Sequence, residues 1–216
     1  MIGTVVFTVL GFLSGFRMLG RGGIFSLMVT VFSTGYLFAY MQKIIAGSAQ
    51  GEDEMPDFPD FSDWWSDIIQ PFLLFGGTVL VSLLPVFIAA YLAAQSESEM
   101  MKLAFFPALA FGAFYMPMAL LAVAVTNNFL GLSPHVVVPS ILRVFLPYLV
   151  TFVILALLVT ARFAGGAAAG AVPYEQVPLK LAVTWMMGFI SLYLLTVEMR
   201  LLGLMFRAYR SRLGWL

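Results

Sequence analysis

Glu198 is the residue of this 216-residue chain whose setting most invites chemistry: an acid two positions before Arg200, inside an otherwise apolar run. A lone charge at the centre of a bilayer costs about 3 kcal/mol or more, so such a carboxylate is a candidate carrier of a proton or an ion. Its alternative role is structural, paired with Arg200 or with Arg143 from a neighbouring segment. His135 is the only histidine, which excludes bis-histidine haem and any metal site needing several histidines from this chain. It sits among Asn127, Asn128, Gly131 and Pro134, residues of turn chemistry, and is read as a turn residue or a single axial ligand to a pigment. There is no cysteine, so disulfides, thiol nucleophiles and thiolate-held metals are absent. Gly11, Ser14 and Gly15 lack the Gly-x-Ser-x-Gly spacing of a nucleophile turn, and no second catalytic partner accompanies them. No catalytic, cofactor-binding or metal-ligating set emerges, and the expectation is a protein that is not an enzyme and needs no cofactor.

A second constellation lies in GEDEMPDFPDFSDWWSDIIQPF. Seven of the eleven acids fall within residues 46–67, where there is no base. Pro56 and Pro59 favour an extended approach, Ser62 is a candidate helix N-cap with Asp63 in the first turn, and Phe61, Trp65 and Ile68 recur at helical spacing. The pattern predicts an acidic, amphipathic interfacial loop and helix, with Trp64 and Trp65 anchored among headgroups. Asp57, Phe58, Asp60 and Phe61 are candidate docking residues for a basic partner. The carboxylates lack the spacing and closing Glu of a calcium loop. At the other end, residues 207–216 interleave Arg207, Arg210 and Arg212 with Tyr209 and Trp215, a helix end suited to snorkelling into anionic lipid. Acidic loop and basic tail on one face would close that side by mutual contact.

The elements that must position these residues follow from composition. The chain is 62% hydrophobic and 10% charged, with mean hydropathy +0.99, more apolar surface than a soluble core of this length buries. Eleven bases balance eleven acids, but outside residues 46–67 all eleven bases face only four acids. Opposed patches on a neutral chain fit a sided membrane protein and not a nucleic-acid partner. A membrane helix needs roughly 20 apolar residues. Residues 22–42, 68–96, 103–126, 144–161 (with Arg143 at an interface) and 181–197 supply five spans, and residues 1–19 are a short sixth or a re-entrant segment. Helix is the class, because no backbone donor stays unpaired in lipid and no barrel alternation is present. The reading is one all-α, polytopic transmembrane bundle over residues 1–216, with five to six membrane helices. Ala104, Ala108 and Gly112 offer a smooth face for close helix packing.

The stretch from Gly35-Tyr36 through Gly51, Glu52, Met55-Pro56, the Asp-Phe repeats and the Trp pair to Leu84-Pro85 resembles the multi-pass membrane proteins of domain-of-unknown-function family four-zero-one-three. The ending LLGLMFRAYRSRLGW is also similar to that of some members. The resemblance implies a polytopic membrane architecture and carries no activity or site residues with it. The cluster Arg200, Arg207, Arg210 and Arg212 predicts a cytoplasmic C-terminus in the cell inner membrane, with the acidic loop on the same face. The expected role is a non-catalytic accessory or scaffold subunit of a larger membrane complex, with lipids and other subunits, or further copies of itself, as partners. The alternative is a small transporter or channel using the intramembrane carboxylate.

Overall fold

The computed structural model describes residues 23–52, 54–57, 63–95, 103–173 and 176–215, and among them every regular element is helical. Helix α1, Gly23–Gln50, outruns the uncharged stretch that suggested it. It continues past Lys43, whose side chain is exposed, and stops at Gly51, which takes φ +92°. The Glu52 amide donates to the Gly47 carbonyl at 2.9 Å and the Gly51 amide to that of Ser48 at 3.3 Å. This paired closure at a left-handed glycine satisfies carbonyls that the last turn leaves free. The acidic stretch drawn from residue 46 thus begins, in structure, after a further helical turn.

The chain re-enters helix at Asp63. Its carboxylate accepts the Trp65 amide at 3.1 Å, and the Asp67 carboxylate accepts the Asp63 amide at 3.2 Å. The cap is therefore Asp63 itself, with Ser62 outside the described residues. A wide turn over Trp65–Ile69 leads into α2, Gln70–Gln95. Helix α3, Phe105–Thr126, ends at left-handed Asn127, and the Asn128 side chain accepts the Leu130 amide. The paired asparagines stop the helix as their type predicts. A 3-10 turn, Phe129–Leu132, precedes the short α4, Pro134–Arg143. Pro147, which has no amide to give the preceding turn, follows the break at Val144, and α5 runs Phe145–Gly170. Helix α6, Val177–Leu213, is capped by Gly214 at φ +66°.

Trp65–Gln95, Phe105–Thr126, Phe145–Gly170 and Val177–Leu213 are four described helices long and apolar enough to cross a membrane. The protein is an all-helical, membrane-embedded chain. The end of α5 also differs from the sequence expectation: residues 162–170, beyond the expected span 144–161, continue the helix, so Arg162 lies inside a membrane-length helix. The charge did not end the helix because it is neutralised from α6.

Packing between helices rests on small residues. A Cβ added at Gly112 on α3 would sit 2.5 Å from the Ser82 carbonyl oxygen of α2, and one at Gly203 on α6 would sit 2.6 Å from that of Ile45 on α1. Side chains any larger would push these backbones apart, and backbone proximity is what holds helices together where lipid is as apolar as the helix faces. Gly203 lies against Ile45, and the cleft lined by Tyr40 and Ile44 is shared with Leu192 and Thr196. Residue numbers rise together along this contact, so α1 and α6 run parallel. Helices α5 and α6 run antiparallel, with Gly165 against Met187 and Arg162 against Ser191. The fully buried side chains Ile45, Met118, Leu121, Val123 and Leu202 mark a core among α1, α3 and α6.

Candidate functional site

On α5 the less exposed positions, Thr151, Leu155, Leu158, Arg162, Gly165 and Ala169, recur every three or four residues, the spacing of a helix seam. Arg162 therefore faces α6 by register. Its Nε donates to Ser191 Oγ at 3.0 Å and its Nη1 donates to Glu198 Oε2 at 3.0 Å. Ser191 and Glu198 are one heptad apart, so one long side chain lies along a single α6 stripe and binds both. The carboxylate side chain is 4% exposed and the arginine 28%. The second carboxylate oxygen, Glu198 Oε1, is buried without a hydrogen-bond partner among the described residues.

This corrects the partner expected for Glu198. The ion-pair partner of Glu198 is Arg162 and neither Arg200 nor Arg143, and Arg143 Nη1 donates to the Leu213 carbonyl at 3.1 Å. The geometry supplies a neutral, charge-assisted pair whose carboxylate is buried, with one oxygen lacking a donor among the described residues. Truncating one member alone would strand a buried charge. Sequence reading missed Arg162 because it follows the eighteen-residue uncharged run 144–161 and looked like a boundary. The usable signal was the seam periodicity, which places residue 162 on the same face as Leu155 and Leu158.

Elsewhere, Arg143, α4 and the C-terminal segment form a second polar junction. Trp215 Nε1 donates to Ser140 Oγ at 2.8 Å, and its ring stacks on Phe206 with centroids 5.5 Å apart. Trp215, expected as an interfacial anchor, thus has its indole N–H engaged within the chain. Trp64 and Trp65 are exposed, as is Asp57, while Phe58, Asp60 and Phe61 lie outside the described residues, as do Gly11, Ser14 and Gly15. Arg207, Arg210 and Arg212 are exposed and Tyr209 half-buried, with the Arg212 guanidinium 5.8 Å from the Tyr209 ring centroid. A Cβ at Gly51 would fall 2.6 Å from the Arg207 guanidinium carbon. The start of the acidic stretch and the basic end of α6 are therefore neighbours. His135 is exposed at the start of α4.

Compared with protein families, curated proteins and solved structures, the chain matches none.

Proposed function

We propose that this protein is a non-catalytic accessory or scaffold subunit of a larger complex in the cell inner membrane, seated among lipids and other membrane subunits. The observation that carries the reading is the α5–α6 hairpin. Only 11% of an 18-residue apolar stretch of α5 is buried within the chain, and Leu146, Val150, Leu157 and Phe163 of this helix are exposed. A long apolar helix so little used in its own fold is available to neighbours in the membrane. Helix α1, 28 residues long, serves as a fifth span and the acidic segment as an interfacial element, while residues 1–19, read as a short sixth span or a re-entrant segment, lie outside the described residues. The adjacency of Gly51 and Arg207 supports placing the acidic loop and the C-terminus on one face, which the arginine cluster assigns to the cytoplasm. Membership of the four-zero-one-three family is part of the same proposal: the two stretches that carry the resemblance are the two that meet at Gly51 and Arg207, and at Gly203 against α1. Extraction of the full chain from its own membrane in mild detergent or nanodiscs, with mass spectrometry of what stays bound, tests the reading. Stoichiometric partner proteins support it; a chain that purifies alone overturns it.

A second reading, a small transporter or channel, is favoured by one observation, the buried and half-satisfied Glu198. Intramembrane carboxylates of this kind mark proton and ion pathways. Reconstituted liposomes in which Glu198→Gln abolishes a proton or cation flux carried by the parent chain would support it, and absence of any flux in the parent would remove it.

A further inference from the structure

The Arg162–Glu198 pair is complete on one side only. A guanidinium carries five N–H donors, and two are engaged, by Ser191 and Glu198. Three remain without an acceptor among the described residues, on a side chain that is 28% exposed. Arg162 lies eight residues inside the end of α5 at Gly170, about 12 Å along the axis, and the side chain reaches towards Glu198. Because α5 and α6 are antiparallel, that direction leads away from the nearer end of α5 and towards its middle. The guanidinium therefore reaches along the α5–α6 seam and not towards the nearer end of α5. Lipid tails offer its outer donors nothing, and a polar group left unpaired in hydrocarbon is costly.

We infer that the exposed side of Arg162 docks one transmembrane helix of a partner polypeptide, through a neutral hydrogen-bond acceptor of the serine, threonine, asparagine or glutamine type. The charge balance selects that chemistry. Glu198 already neutralises Arg162, so a second carboxylate would leave a net negative charge in the hydrocarbon, whereas a hydroxyl or carboxamide oxygen accepts the free N–H groups without adding charge. The surroundings admit a helix: Phe163 stands out at 77% exposure, and a Cβ at Gly166, one turn beyond Arg162, or at Gly188, one turn before Ser191, would meet nothing within 4 Å. This inference rests on the accessory-subunit reading and names the chemistry of its contact.

The test is photo-crosslinking of the full chain in its own membrane, with a benzophenone side chain placed in turn at Val159, Phe163 and Gly166, and at Leu80 on α2 as a distant exposed control. Adducts are identified by mass spectrometry of the joined peptides. The expected result is a polypeptide adduct at one or more of the three α5 sites, within an apolar segment bearing Ser, Thr, Asn or Gln. Its yield should fall by about tenfold in the double variant R162L/E198L, which removes both charges together. Circular dichroism and thermal unfolding of that variant in detergent establish that it is folded; where it is not, R162K, which keeps the charge and loses the outward fork, serves in its place. Adducts at Leu80 but none on α5 would leave the subunit reading standing and overturn the docking site. Adducts only to further copies of this chain, or yields unchanged in both variants, would also overturn it. No polypeptide adduct anywhere, with the chain purifying alone, would overturn both.

Discussion

Helices α3 and α5 each carry an 18-residue stretch of mean hydropathy 2.0, yet half of that of α3 is buried within the chain against 11% of that of α5. Apolar content therefore reports that both belong in a membrane and says nothing about which one is central. What separates them is the distribution of small and polar-tipped residues. Helix α3 brings Gly112 onto the α2 backbone and Tyr115, whose hydroxyl donates to the Leu132 carbonyl at 2.6 Å. Tyr148 at the start of α5 donates to the Phe114 carbonyl, and its ring packs edge-on against Phe114 with centroids 4.9 Å apart. Beyond that turn, α5 is held mainly by α6. Central helices are fixed by close backbones and by hydroxyls that find carbonyls; the hairpin is fixed by one seam with an ion pair in it.

Breaking that ion pair has the largest expected effect. Arg162→Leu leaves Glu198 buried and unpaired and should lower unfolding stability by about 3–5 kcal/mol, whereas Arg162→Leu with Glu198→Leu should recover most of the loss. Denaturant titration in detergent measures both, and equal losses in the single and double variants would show that the two residues do not act as a unit. Next comes packing. Gly112→Leu forces α2 and α3 apart at a cost of about 1–3 kcal/mol, while Gly166→Leu on the open side of α5 should change stability by less than about 0.5 kcal/mol. A similar loss at both positions would erase the contrast between the two helices. Trp215→Phe keeps the ring on Phe206 and removes the bond to Ser140, at about 1 kcal/mol. Hydrogen exchange should quicken in α4 and stay unchanged in the α5–α6 hairpin. The smallest effect belongs to Leu157→Ala, which deletes a side chain that touches little within the chain, at less than about 0.5 kcal/mol in detergent.

How far the sequence could be read follows from the same contrast. Helical class and membrane residence were legible because uncharged runs of sufficient length admit no other solution. The stop at Asn127 was legible in kind, an asparagine pair being able to take the left-handed region, whereas the glycine stops at Gly51 and Gly214 lie beyond the spans that the uncharged runs marked. Helix lengths were not, because a run cut at its first charge ends α1 near Gln42 and α5 near Ala161, whereas an exposed lysine and a paired arginine let both helices continue. The partner of Glu198 depended on how far α5 extends: once Arg162 is inside the helix, register alone brings it to Ser191 and Glu198. The contact of Trp215 with Ser140 joins positions far apart in sequence, and nothing local in either segment indicates it.

The parallel contact of α1 with α6 has a kinetic consequence. Gly203 seals Ile45, which is fully buried, across more than 150 residues of intervening chain. Contacts at such separations form late, after shorter loops have closed. Until α6 arrives, α1 must present that face to lipid or to a chaperone, so assembly of this bundle waits on its last described helix, and the stretch around Ile45 is where an unfinished molecule is most exposed to the wrong neighbour.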